Sequence, residues 1–121
     1  MARHNDDGKQ AEQLAKEFLQ KKGFQVLEEN WRFSRAEVDL IASIHNTIVF
    51  IEVKARSGTG FGLPEEFVDE KKQKLLSKAA NEYIFLNNHQ GEIRFDVIAI
   101  IFKKGFESYE VKHIEDAFWN Y

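Results

Sequence analysis

Three side chains in the first half of the chain have the types and spacing to do chemistry together: Asp39, in Glu37-Val38-Asp39, and Glu52 and Lys54, in Glu52-Val53-Lys54. Residues two apart on a strand project from one face, so an extended segment from Thr47 to Lys54 sets Glu52 and Lys54 side by side. His45-Asn46 suits a tight turn between that strand and one running from Glu37 to Ser43, since Asn tolerates positive φ. A two-residue turn there pairs Ile44 with Thr47, Ala42 with Val49 and Leu40 with Ile51, which brings Asp39 opposite Glu52. Directly opposed side chains stand roughly 4.5–5.5 Å apart at Cβ, where like charges repel, and burial sharpens the repulsion.

Three arrangements relieve it: protonation of one carboxyl, neutralisation by Lys54, or a divalent cation between the pair. Hard, oxygen-only ligation of this kind suits Mg²⁺ or Mn²⁺. Such an ion lowers the pKa of a bound water and offsets charge on a phosphoryl transition state, and Lys54 is placed to orient or help deprotonate that water. A surface salt bridge, worth about 0–1 kcal/mol, uses the same residue types.

The elements that must position these groups follow from periodicity. From Asp6 to Lys22, Ala11, Leu14, Ala15, Phe18 and Leu19 recur at helical spacing, with Asp6 or Asp7 as N-cap and Gly23 as C-cap. A short strand from Phe24 to Leu27 continues loosely through Trp31 to Phe33, and the Glu37–Ser43 strand follows. The next strand is apolar on both faces from Ile48 until Glu52, the pattern of a central strand covered on both sides. Residues 57–62 hold three glycines and read as a flexible loop. Pro64 then suits the first turn of a helix running to about Asn87. Glu92 to Lys103 and Ser108 to His113 give two more strands, and a short terminal helix carries Phe118 and Trp119. The order αβββαββα predicts an α/β fold of three layers, a mixed central sheet flanked by helices.

With 121 residues, the whole chain reads as a single domain. It has no cysteine, which excludes disulfides, zinc ribbons and thiol nucleophiles. No apolar stretch approaches the ~20 residues a membrane span needs, and the charged first thirty residues lack a signal region, so a cytoplasmic location without membrane contact is expected. The net charge of −3 gives no overall attraction for nucleic acid. Between Lys54 and Lys78, however, six Lys or Arg outnumber the four residues Glu65, Glu66, Asp69 and Glu70. Lys71 and Lys72 could grip a phosphate backbone through charge, and Arg56, one more step of two beyond Lys54, could touch phosphate or form a salt bridge. Glu37 reads as a solvated strand-edge residue, Asp96 beside Arg94 as structural, and the four histidines show no ligand spacing.

An Asp at the start of a hairpin followed by an apolar strand ending Glu-x-Lys resembles the PD-(D/E)xK nuclease superfamily. More narrowly, the chain resembles the small bacterial YraN family of predicted endonucleases, which are similar to Holliday-junction resolvases. The likeness runs from Gly8 to about Phe118 and includes Asn30-Trp31-Arg32, Glu37-Val38-Asp39-Leu40-Ile41, Phe50-Ile51-Glu52-Val53-Lys54-Ala55-Arg56, the loop ending Phe61-Gly62, and Arg94-Phe95-Asp96. It implies a restriction-endonuclease-like fold and a metal-dependent endonuclease acting on DNA rather than RNA, with junction or branched DNA a candidate substrate. It further implies Asp39, Glu52 and the Val53 carbonyl as metal ligands, Lys54 as the catalytic lysine, and Glu12 as the helix acid that completes the metal shell or positions its water. Branch-specific cutting would call for a homodimer. Ala36 and Ala11 stand where the family usually has glycine; neither removes a ligand, but backbone approach to a phosphate is altered. The rival reading is a non-catalytic nucleic-acid-binding or partner-docking module that keeps the fold, which the acidic balance favours.

Overall fold

In the computed structural model, which describes residues 2–57, 68–103 and 108–118 with side chains from residue 8 onward, five strands form one sheet in the order β1-β2-β3-β4-β5. The elements are α1 (Ala2–Lys21), β1 (Gln25–Phe33), β2 (Ala36–Ile44), β3 (Thr47–Ser57), α2 (Glu70–Leu86), β4 (Glu92–Lys103) and β5 (Ser108–Ile114). The first three strands are antiparallel neighbours, β3 and β4 are parallel across the α2 connection, and β5 returns antiparallel. The result is a mixed sheet in an α/β fold.

Alternation along the strands divides the core in two. Ile48, Phe50, Phe95 and Val97 pack with Leu76, Ala79, Ala80 and Tyr83 of α2. Val49, Ile51, Ile98 and Ile100 pack with Ala11, Ala15 and Leu19 of α1. Both faces of β3 and β4 are therefore covered, which is why these strands read as unbroken apolar runs. Truncating a ring as buried as Phe50 in such a layer costs about 3–5 kcal/mol.

The turns are set locally. Gly23 closes α1 with φ of 96°: its N–H donates to the Gln20 carbonyl at 3.1 Å and that of Phe24 to the Leu19 carbonyl at 3.0 Å. These two bonds satisfy carbonyls the helix end would otherwise leave bare. His45 and Asn46 both take positive φ, 48° and 64°, in the two-residue turn expected between β2 and β3.

Three expectations need correction. Helix α1 already runs at Ala2, so Asp6 and Asp7 lie inside it rather than capping it. Helix α2 starts at Glu70, because Asp69 is extended and its carboxylate accepts the Lys72 backbone N–H at 2.8 Å. Pro64 and most of the glycine loop lie outside the described residues. No terminal helix forms over 115–118. Glu115 and Asp116 make a turn, the Ala117 N–H donates to the Phe95 carbonyl at 2.7 Å, and Phe118 stacks on Phe95, so the chain end is tied to β4. Trp119 lies outside the described residues.

Candidate functional site

The hairpin register is the one the turn dictates, from Ile44 opposite Thr47 to Leu40 opposite Ile51. It stops one step short of Asp39 and Glu52, and the reason is visible in the packing. Ile41 lies on the α2 side and Leu40 on the α1 side, as alternation requires, but Val38 lies on the α2 side again. The alternation slips at Asp39. Across on β1, Asn30 sits between the pairs Glu29/Leu40 and Trp31/Val38 with φ of 52°. Instead of a simple cross-strand pair with Glu52, Asp39 uses its carboxylate as a backbone acceptor: the Val53 N–H donates to Oδ2 at 2.8 Å.

Glu52 follows Phe50 on the α2 side and is only 4% exposed. Its Oε2 receives two ammonium groups, Lys54 Nζ at 3.1 Å from the same strand and Lys72 Nζ from the first turn of α2. Its Oε1 is buried and has no hydrogen-bond partner among the described residues. Burial and the charge of Glu52 push Asp39 up from its ordinary 3.8 to about 7, against the downward pull of the Val53 N–H. Glu12, on α1, is also pushed up, first by burial and then by Glu37, Glu29 and Glu52, while a hydrogen bond with Asn30 holds it down. Lys72 is pushed up: burial opposes its charge, but Glu52 and Asp39 outweigh burial.

The structure thus gathers Glu12, Asp39, Glu52, Lys54 and Lys72 around the point where the β2–β3 pairing ends. Lys71 is exposed beside a groove rather than in contact with the carboxylates, and Arg56 turns its Nη1 to the Ala55 carbonyl at 2.8 Å. Glu37 pairs with Arg32 at 3.3 Å across β1 and β2, as a strand-edge residue would. Two participants went unread in the sequence. Lys72 was placed on DNA, not on Glu52, and Asn30 was given no role. The Lys72 contact depends on where the crossover sets α2, so only its position near the helix start hinted at it.

Among the described residues, no three His, Cys, Asp or Glu side chains stand as a ready-made metal cage. What stands is a carboxylate pair with a third acid within electrostatic reach. Mg²⁺ needs only one or two carboxylates, since it keeps several waters and shares phosphate oxygens with substrate. A buried Glu52 Oε1 without a partner among the described residues, and an Asp39 that burial and the charge of Glu52 push up to about 7, are the donor chemistry such an ion takes. The residues present fit the ion.

Residues 11–100 match the model of the family described as Uncharacterised protein family UPF0102. A UPF0102 protein of Flavobacterium psychrophilum is 50% identical over 121 residues, spanning the whole of both chains. One of Flavobacterium johnsoniae is 44% identical over 125 aligned residues, again spanning both chains. One of Chlorobium phaeobacteroides is 43% identical over 116 residues, covering 92% of this chain and 91% of its own. No helix among the described residues is long and apolar enough to cross a membrane.

Proposed function

The chain belongs to the UPF0102 family, which is the YraN-like family, and we propose that it is a metal-dependent endonuclease hydrolysing the DNA backbone. The observation that carries this reading is Glu52, a carboxylate buried midway along a central strand with one oxygen unpartnered among the described residues and Asp39 beside it. Two ammonium groups pair with its other oxygen, but a buried carboxylate serving the fold alone would have partners on both oxygens. The resemblance to PD-(D/E)xK nucleases assigns the same residues.

Asp39 and Glu52, with the Val53 carbonyl, would hold Mg²⁺ or Mn²⁺, and Glu12 would steady its water. The ion would lower the pKa of that water and offset charge on the phosphate as the P–O bond breaks. Lys54, only 16% exposed, keeps its ammonium at Glu52, where it would orient the attacking water and help its deprotonation by stabilising the hydroxide. Arg56, Lys71 and Lys72 supply positive charge for the flanking phosphates, on a protein whose overall charge does not. Branched or junction DNA fits the resemblance to resolvases, and a homodimer would supply the symmetry such a substrate has.

The test is cleavage of labelled four-way junction, flap, single-stranded and duplex DNA with Mn²⁺, beside Lys54→Ala. Cutting that requires both the metal and Lys54 is the expected result. Structure-selective binding without cutting would replace this reading with a non-catalytic binding module.

A further inference from the structure

Two ammonium groups share Glu52 Oε2, and they are not equivalently held. Lys54 lies two residues along the same strand and is nearly buried. Lys72 is 40% exposed, and it also lines a groove with Arg35, Ala36, Glu37, Lys71 and Leu75. Its backbone is fixed by the Asp69 cap, so its side chain can leave Glu52 for the groove by rotation about its own bonds, with no movement of α2. Charge also separates the two. Glu12, Asp39 and Glu52 are balanced by Lys54 and one divalent ion together; keeping Lys72 as well would leave the cluster with excess positive charge in a half-buried place. Cations this close repel strongly where water is scarce.

We infer that Lys72 is the resident counter-cation of the site, and that a divalent ion binds by displacing its ammonium from Glu52 into the adjoining groove. This rests on the metal-dependent reading above. Lys72 is then a positioning residue: its ammonium holds Glu52 Oε2 in place until the ion arrives. Once released, it joins Arg35 and Lys71 along the groove, where three cations instead of two would face a phosphate backbone against the carboxylates of Glu37 and Asp69.

The test is calorimetric titration of Mn²⁺ into the full chain, without DNA, at about pH 8, well above the usual carboxylate range. Lys72→Met removes the competing charge and keeps the apolar stem, so its affinity for Mn²⁺ should rise about tenfold. Lys71→Met, which changes the groove but touches no carboxylate, should bind as the wild type does. Lys72→Gln should follow Lys72→Met and serves if the methionine variant folds poorly, with circular dichroism checking both. In the wild type, the hydrogen-bonded Nζ signal of Lys72 should disappear from the NMR spectrum when Mg²⁺ is added. Affinity in Lys72→Met equal to or below that of the wild type would overturn the displacement and leave the metal site standing. No Mn²⁺ uptake by either protein would overturn the metal-dependent reading itself, and the displacement with it.

Discussion

Glu52 and Asp96 are buried carboxylates on neighbouring parallel strands, one step apart in register, since Ile51 pairs with Asp96 and Glu52 with Val97. They face opposite helices, and the protein treats them in opposite ways. Asp96, on the α1 side, is fully buried and receives four donors: Arg94 Nε and Nη2 at 2.9 Å each, His113 Nε2 at 2.7 Å and the Asp116 N–H at 2.9 Å. That meets the capacity of an ionised carboxylate. His113 is in turn held by Lys22 Nζ at 2.9 Å from its Nδ1 and by the edges of Phe18 and Phe24. Although burial works the other way, the bonds from His113, Arg94 and Asp116 hold Asp96 below its ordinary value. Glu52 crowds two cations onto one oxygen and leaves the other bare, and its neighbour Asp39 is pushed up to about 7. The first cluster is closed and serves the fold. The second is open, and an open carboxylate cluster in a half-buried place is one a ligand can complete.

The sharpest way to break the comparison is to open the closed cluster. Asp96→Asn sets an amide against donors that suit a charged acceptor and leaves Arg94 with only its longer pair to Glu115 at 3.7 Å, so it should destabilise the fold by about 3–5 kcal/mol in urea denaturation. A loss below ~1 kcal/mol would mean that the four bonds hold nothing together.

The two clusters also link stability to pH with opposite signs. Asp39 keeps its proton in the folded chain between its ordinary 3.8 and about 7, where the unfolded chain has lost it. Its contribution is therefore full in acid and is lost as pH rises through about 7. Asp96, held low, contributes above its ordinary value and loses that contribution as acid protonates it. Asp39→Asn keeps an acceptor for the Val53 N–H and should abolish only the decline between 3.8 and about 7. Without metal it should be more stable than the wild type near pH 8 by about 1–3 kcal/mol, with little difference near pH 4. Identical pH–stability profiles for the two proteins would contradict the placement of Asp39.

The smallest expected effect comes from the helix end that carries Lys72. Asp69→Ala removes the cap of α2 and should cost about 1 kcal/mol of stability. Because the same bond fixes the Lys72 backbone, the variant should also weaken the Lys72–Glu52 contact, read as a loss of the protected Nζ signal in NMR.

The open cluster was more legible in the sequence than the closed one. Its strand components follow from a period of two and from a two-residue turn, which His45 and Asn46 fix by their own backbone preferences. These rules act over a few residues, and they place Glu52 and Lys54 on one face and carry the register as far as Leu40. They fail at Asp39, because the slip there involves Asn30 on another strand. They also missed Lys72, whose approach to Glu52 depends on where the crossover sets α2. In the closed cluster the shared face of Arg94 and Asp96 was readable, but His113 arrives from β5 and Asp116 from beyond it, contacts that only the assembled sheet creates. The start of α2 was misread because Pro64 gives a strong local signal, whereas the Asp69 cap is decided by its bond to Lys72. The terminal aromatics suggested a helix, and the bonds of Asp116 and Ala117 to β4 hold that segment in another shape.

On the reading proposed above, a divalent ion completes the site of Asp39 and Glu52 and leaves Asp96 untouched. The most direct test is thermal unfolding of the wild type, Asp39→Asn and Asp96→Asn with and without Mn²⁺. Saturating Mn²⁺ should raise the wild-type Tm on the order of 5–10 °C, since an ion that binds only the folded state stabilises it by mass action. Asp39→Asn should lose that rise, and Asp96→Asn should keep it from a lower starting point. Equal rises in the wild type and Asp39→Asn, or no rise in the wild type, would contradict the account.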